Sequence, residues 1–172
     1  MEPEYRYLAT ESAAICSEYG VPLCINNYPD TAKAIGLEDV QLPLKKMRKL
    51  EGRKGLKSIG VSVHSLEESM EAAELGADYL IAGPIFLTEC KPDAEPKGAK
   101  LISEILEKVK LPVYAIGGIT PYNIRHVAAE GASGVCIRSS AMTSENPKIL
   151  FRELKTNFGA GLKHLKIAGN LV

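Results

Sequence analysis

Short apolar, β-branched runs alternate with stretches of helical period along nearly the whole chain. The strand-like runs fall at 21–26 (VPLCIN), 39–42 (DVQL), 58–63 (SIGVSV), 79–82 (YLIA), 112–116 (PVYAI) and 134–138 (GVCIR). Helical periodicity covers 11–19, 66–75, 100–108, 122–130 and 147–157, and a shorter basic segment at 45–50 separates the second and third runs. Strands alternating with helices long enough to cover a sheet face predict an α/β fold built on a parallel sheet. Ser65, with Glu68 three residues on, reads as a capping box that starts the helix after the third run. Thr120-Pro121 reads as the cap and first-turn proline of the helix after the fifth. Gly76 and Gly131 fall just past two helices, where a left-handed residue ends the helix and turns the chain into the next strand.

No Gly/Ser-rich linker or charge block divides the 172 residues, so a single domain over 1–172 is expected. Twenty-one Lys and Arg residues balance 21 Asp and Glu. This neutrality leaves no overall field for a nucleic-acid backbone or an anionic bilayer, and neither partner is expected. No apolar run approaches the roughly 20 residues of a membrane span, and the start Met1-Glu2-Pro3-Glu4 lacks the basic-then-apolar pattern of a secretory signal. A soluble cytoplasmic protein is therefore expected. Cys16, Cys24, Cys90 and Cys136 are widely spaced without a C-x-x-C pair, which fits reduced thiols buried as structural residues.

Parallel strands of this kind present ligands at their C-terminal ends. After the fifth run come Gly117 and Gly118, read as a turn that lets backbone approach an anion closely, followed by a helix start whose N–H groups and dipole favour negative charge. After the sixth come Ser139 and Ser140, small hydroxylated residues able to donate to the same anion. Together these two strand ends are expected to form a phosphate cradle. The loop at 83–98 is long and rich in Pro and charge, as functional lids are, and carries Thr88 and Lys91 as further anion contacts. Cys90, in the same loop, has no base beside it in sequence and reads as an inert thiol. His64 closes the third run at a strand end, where it reads either as an acid–base group or as part of a local helix start. Asn26, which ends the first run, reads as a ligand-orienting amide or a turn former, and Ser62 in the third completes the candidate binding set. No cluster of Asp, Glu or His has metal-ligand spacing, so no metal site is expected from the residues themselves.

From residue 60 onward the sequence resembles the family that contains thiamine-phosphate synthase and the TenI-type thiazole tautomerases. The phrases that carry the resemblance are GVSVHSLEES at 60–69, GADYLIAGPIF at 76–86, TECKPDA at 88–94, LPVYAIGGITP at 111–121 and GASGVCIRSSA at 131–141. YGVPLCINN and DVQL match more weakly upstream. The resemblance implies a TIM-type β/α barrel that holds a thiazole phosphate at its last two strands, where the cradle residues lie. Family barrels run to about eight strands, and the first match here is to the third. The expectation is therefore a barrel truncated at its N-terminus, lacking the family's first two strands and keeping about six parallel strands. Its exposed edges are expected to drive a homodimer.

The resemblance also implies a magnesium site in the synthase branch, built from acidic residues after the first and second matching strands. Those places hold Asn27-Tyr28 and Leu42-Pro43-Leu44-Lys45-Lys46. The VHSLEE and TECK runs look like the tautomerase branch, whose catalytic histidine follows the strand-end glycine at the place where this chain has Pro84. The first expectation is a TenI-like protein of thiamine biosynthesis that binds a thiazole-type phosphate and tautomerises it as an isomerase, with His64 as the acid–base group and no cofactor. One alternative is thiamine-phosphate synthase, a transferase joining thiazole phosphate to a pyrimidine diphosphate with magnesium. The other is a non-catalytic regulatory phosphate-binding protein.

Overall fold

The β-branched runs pair in the order in which they occur. The structure, a computed structural model, describes residues 2–53, 55–89 and 92–169. From the N-terminus the elements are α1 (Glu2–Glu18), β1 (Ile25–Asn26), α2 (Pro29–Ala34), β2 (Asp39–Pro43), α3 (Leu44–Met47), β3 (Ser58–Val63) and α4 (Leu66–Glu74). They continue with β4 (Tyr79–Ala82), α5 (Lys100–Lys108), β5 (Val113–Ile116), α6 (Ile124–Ala129), β6 (Gly134–Cys136), α7 (Ser139–Met142) and α8 (Pro147–Gly169). One sheet runs β1-β2-β3-β4-β5-β6, and every neighbouring pair is parallel. Among the described residues no pairing joins β6 to β1, so the sheet is a half-barrel with helices on its outer face. The six-stranded parallel α/β fold read from the pattern is the one observed.

The two-residue period of the strands sorts their side chains between two environments. Val40, Leu42, Ile59, Val61, Val63, Leu80, Ala82, Val113 and Ala115 are at most 1% exposed and pack into one core with Ala72, Ile102 and Ile105 of α4 and α5. The opposite, concave face carries Gln41, Ser62, Tyr79, Ile81, Tyr114, Ile116 and Cys136, most of them half-buried. Tyr79 and Tyr114 meet there edge to face, with ring centroids 5.6 Å apart. Gly60 lies between Gln41 and the Tyr79 ring, in space that any Cβ would need.

Several element boundaries differ from the expected ones, each for a local reason. β1 shrinks to Ile25–Asn26 because its ladder with β2 begins only at Ile25 opposite Val40, and Pro22 has no N–H to give. β6 ends at Cys136, and α3 at Met47. α1 begins at Glu2 rather than near residue 11, with Pro3 tolerated in the first turn. α6 begins at Ile124 with Asn123 as its N-cap, so Thr120-Pro121 belongs to the preceding turn. α8 continues through Gly159 and Gly161 to Gly169. Gly161 is what lets α8 lie on α6, because a Cβ there would sit 2.6 Å from both Ala128 Cβ and Arg125 O. Two short helices, α2 and α7, were not expected.

The expected corners hold. Gly76 and Gly131 have φ of 88° and 92°, and Ser65 Oγ accepts from the Glu68 N–H at 3.2 Å. Arg53 ties down the corner at Asp78 through a guanidinium–carboxylate pair at 2.7 Å, and the same carboxylate accepts from the Ile59 N–H. Burial pushes the Asp78 carboxyl up, but these bonds outweigh it and hold the group below its ordinary value. The open edge at β1 is partly met by α1: the Tyr5 hydroxyl donates to Asn26 O at 2.8 Å and accepts from Asn26 N at 3.2 Å. Among the described residues no helix is long and apolar enough to cross a membrane.

Candidate functional site

Because all six strands run the same way, their C-terminal ends share one rim, and the candidate residues are spread along it. At the β5 end the chain turns through Gly117 (φ 96°) and Gly118 (φ 64°), a conformation that strains any residue with a Cβ. The segment leaving β4 lies directly against this turn. Ile85 N donates to Ile116 O at 2.9 Å and Phe86 N to Gly117 O at 3.1 Å. A Cβ on Gly117 would come within 2.6 Å of Pro84 Cβ, and one on Gly118 would run into Leu87 O and lie 2.8 Å from Phe86 Cβ. The space beside the two glycines is thus filled by the 84–87 segment itself. What the turn offers a ligand is its N–H groups: among the described residues, those of Gly118 and Ile119 have no backbone acceptor.

A residue that the sequence reading passed over holds this turn in shape. Asn123 Oδ1 accepts from Thr120 N at 2.8 Å, and its Nδ2 donates to Gly118 O at 2.8 Å. The signal for it was an N-cap residue type directly before the apolar start of α6 at Ile124, three positions after the residue expected to cap. β6 pairs with β5 through Ile116 and Cys136, so Ser139 and Ser140, opening α7, follow the adjacent strand end. The loop after β4 is closed at its base by Lys97 N to Pro84 O and Gly98 N to Ile85 O, at 2.9 and 3.0 Å. Thr88 follows Leu87, whose carbonyl faces Gly118. Lys91 and Cys90 lie outside the described residues.

The remaining candidates occupy other parts of the rim. Ser62 Oγ accepts from Gln41 Nε2 at 3.0 Å on the concave face, and Gln41 Oε1 is buried there without a partner among the described residues. His64, at the β3 end, is exposed. Its backbone N–H donates to Glu68 Oε2 at 2.7 Å, and its ring Nδ1 donates to Gly83 O. A carbonyl can only accept, so Nδ1 carries hydrogen and Nε2 is the atom left open for proton exchange. Asn26 is on the edge strand β1, at the other end of the sheet order from β5 and β6, and its backbone is bonded to the Tyr5 hydroxyl.

The thiols are less buried than expected: Cys24 is exposed, and Cys16 and Cys136 are half-buried. Cys24 Sγ lies 3.4 Å from the Tyr79 hydroxyl. Desolvation by neighbouring groups, felt by the Cys24 sulfur although the residue as a whole is exposed, pushes both the Cys24 and Cys136 thiols up, away from the thiolate form that a nucleophile needs. The Tyr79 hydroxyl is raised by burial and by its bond to Cys24.

A pocket of about 290 Å³ lies at the β1–β2 end of the rim, lined by Asn27, Tyr28, Asp30, Leu42, Lys46 and Lys49 among others. Asn27 has φ 73°, and its carbonyl receives Lys46 Nζ at 2.7 Å. The same ammonium lies 4.8 Å from the centre of the Tyr28 ring. These are the places where the resemblance implies a magnesium site. A divalent cation of that kind takes hard oxygen donors, usually carboxylates. Here the lining offers one carboxylate, Asp30, against two lysines, and one ammonium already occupies the Asn27 carbonyl, so the residues do not fit the metal.

Residues 2–141 match the family model described as thiamine monophosphate synthase. The chain is 39% identical over 140 residues to thiamine-phosphate synthase of Shouchella clausii, an alignment covering 78% of this chain and 66% of that protein. With thiamine-phosphate synthase of Desulfitobacterium hafniense it shares 40% identity over 150 residues, 84% of this chain and 72% of the relative. It thus spans about two-thirds of the length of these relatives. Among solved structures, thiamine phosphate pyrophosphorylase from Pyrococcus furiosus superposes with a TM-score of 0.83 at 32% identity, over 94% of this chain and 79% of that one.

Asn123→Ala removes both bonds that brace the turn, and is expected to lower stability by about 1–3 kcal/mol. Asn123→Asp keeps the acceptor for Thr120 N and should cost less. Urea denaturation of the three proteins checks the order; equal midpoints would contradict the bracing role.

Proposed function

The chain belongs to the thiamine monophosphate synthase family, and from that premise we propose that it is a transferase of the thiamine-phosphate synthase kind. In this reading a thiazole-type phosphate is anchored at the β5–β6 end of the rim, and a pyrimidine diphosphate is joined to the anchored ring. The single observation that carries it is the turn at Gly117-Gly118. Packing against the β4 loop and the Asn123 brace hold this turn, whose Gly118 and Ile119 N–H groups have no backbone acceptor among the described residues, and Ser139 and Ser140 follow the adjacent strand end. Preorganised backbone donors bind an anion without a reorganisation cost. Toward the concave face, the unpartnered Gln41 Oε1 is an acceptor for a ligand N–H or O–H. The phosphate anchor calls for no metal, and no step is assigned to one.

A second reading, tautomerisation, is favoured by one observation. The bond from His64 Nδ1 to Gly83 O orients the imidazole and leaves Nε2 open at the rim. The two readings make different demands on His64, since an isomerase needs a proton carrier near the ring while the transferase needs only the anchored phosphate and the second substrate.

Gly118→Asp is a poor probe of the anchor, because its Cβ would collide with Leu87 O at a positive φ. Ser140→Asp brings a carboxylate to the same place from the first turn of α7, where acidic residues are well tolerated. It is expected to weaken binding of thiazole phosphate by at least tenfold in calorimetry, while thermal stability is kept. Wild-type coupling of thiazole phosphate with pyrimidine diphosphate, retained in His64→Gln, supports the transferase. A tautomerase activity that falls roughly 10²–10⁴-fold in His64→Gln would replace it with the isomerase. Tight binding with neither turnover would leave a regulatory protein.

We also propose that the chain is cytoplasmic and works as a homodimer, since among the described residues no strand pairs with the outer edge of β6. Sedimentation at tens of micromolar (about a typical working range) should give twice the chain mass; a monomer alone would contradict the assembly.

A further inference from the structure

The β1–β2 corner is built around a cation that belongs to the chain. Asn27 adopts a left-handed backbone, which few non-glycine residues do, and its carbonyl meets Lys46 Nζ at 2.7 Å. The Tyr28 ring lies 4.8 Å from the ammonium, and is itself packed on Tyr5 with centroids 4.4 Å apart. Lys46 is exposed, yet a hydrogen bond and a cation–π contact give its ammonium a defined place. An ammonium has three donors. The carbonyl uses one and leaves two turned to other partners. Lys49 lines the same pocket, Leu42 and Leu50 add apolar wall, and Asp30 is the one carboxylate in the lining.

We propose that this corner is a phosphate subsite that works without a divalent cation, Lys46 supplying the charge that a metal would otherwise bring and Lys49 assisting it. The ligand class is a phosphate or diphosphate group. The proposal deepens the transferase reading and rests on it for the identity of that anion, the diphosphate of the second substrate. A fixed ammonium and a hydrated metal ion differ in a checkable way. The metal's contribution disappears with a chelator, whereas that of lysine does not, and two ammonium groups lining one pocket repel an added divalent ion. The subsite and the β5–β6 turn are built from different strands, at the two ends of the sheet order.

The test is calorimetric titration with inorganic pyrophosphate in the Ser140→Asp background, where anion binding at the β5–β6 turn is weakened. Binding should persist in EDTA, with an affinity at least equal to that in magnesium, and should weaken at least tenfold in Ser140→Asp/Lys46→Met. Lys46 and Lys49 are exposed, so the methionine variant should keep its fold, which circular dichroism verifies. Binding that requires magnesium, binding unchanged by Lys46→Met, or no pyrophosphate binding in the Ser140→Asp background would each overturn the subsite. Failure of the transferase reading shows separately, as wild-type protein that binds pyrophosphate through Lys46 and joins no substrates.

Discussion

Two backbone hydrogen bonds, from Ile85 to Ile116 and from Phe86 to Gly117, hold the segment leaving β4 against the turn leaving β5. The rest of the rim depends on that approach. It brings Pro84, Phe86 and Leu87 so near the turn that only glycine fits at 117 and 118, and it commits the turn's carbonyl side to the chain. The N–H groups of Gly118 and Ile119 are left on the other side. Asn123 completes the constraint by satisfying Thr120 N and Gly118 O with one side chain, so the turn is fixed from two directions. A rigid set of donors is what anion binding needs, because flexible donors would lose entropy on ordering.

The core supplies the support for this rim. Buried aliphatic residues on the outer face of β2 to β5 each contribute about 1.5–3 kcal/mol through their removal from water, and they lock the strands in register under α4 and α5. The concave face is different in kind. Its tyrosines and Ser62 are half-buried, Gln41 is buried, all are polar, and Gly60 makes room for two of them. One sheet therefore separates a dry layer that provides stability from a polar hollow whose mouth is the ligand rim. His64 spans two strand ends at that mouth, tying β3 to the β4 loop through Gly83 O.

Much of this was legible in the residues. β3, β4 and α5 have the boundaries that the hydrophobic period implies, because both faces of those strands and the buried stripe of α5 carry a strong signal. The capping box at Ser65 and the left-handed glycines at 76 and 131 were legible for the same reason: each is a local pattern with a local cause. The misses come from tertiary contacts. VPLCIN has a strand's composition, but most of it has no partner on the edge of the sheet. Gly159 and Gly161 look like helix breakers, yet α8 crosses α6 so closely that Gly161 is required. Gly117-Gly118 was legible as a rim turn; what the residues did not show is that its Cβ space is taken by 84–87, distant in sequence. Asn123 and Lys46 were missed as site residues because their partners, Gly118 O and Asn27 O, are defined only once the turns are folded.

The central claim is that the β5 turn holds a phosphate through its backbone while the chain itself fills the space beside the glycines. A crystal of the protein soaked with thiazole phosphate tests it most directly. The account predicts phosphate oxygens within hydrogen-bonding distance of the Gly118 and Ile119 N–H groups and of Ser140, with the segment 84–87 unmoved. Phosphate bound elsewhere on the rim with the β5 turn empty, or seated only after displacement of 84–87, would contradict it.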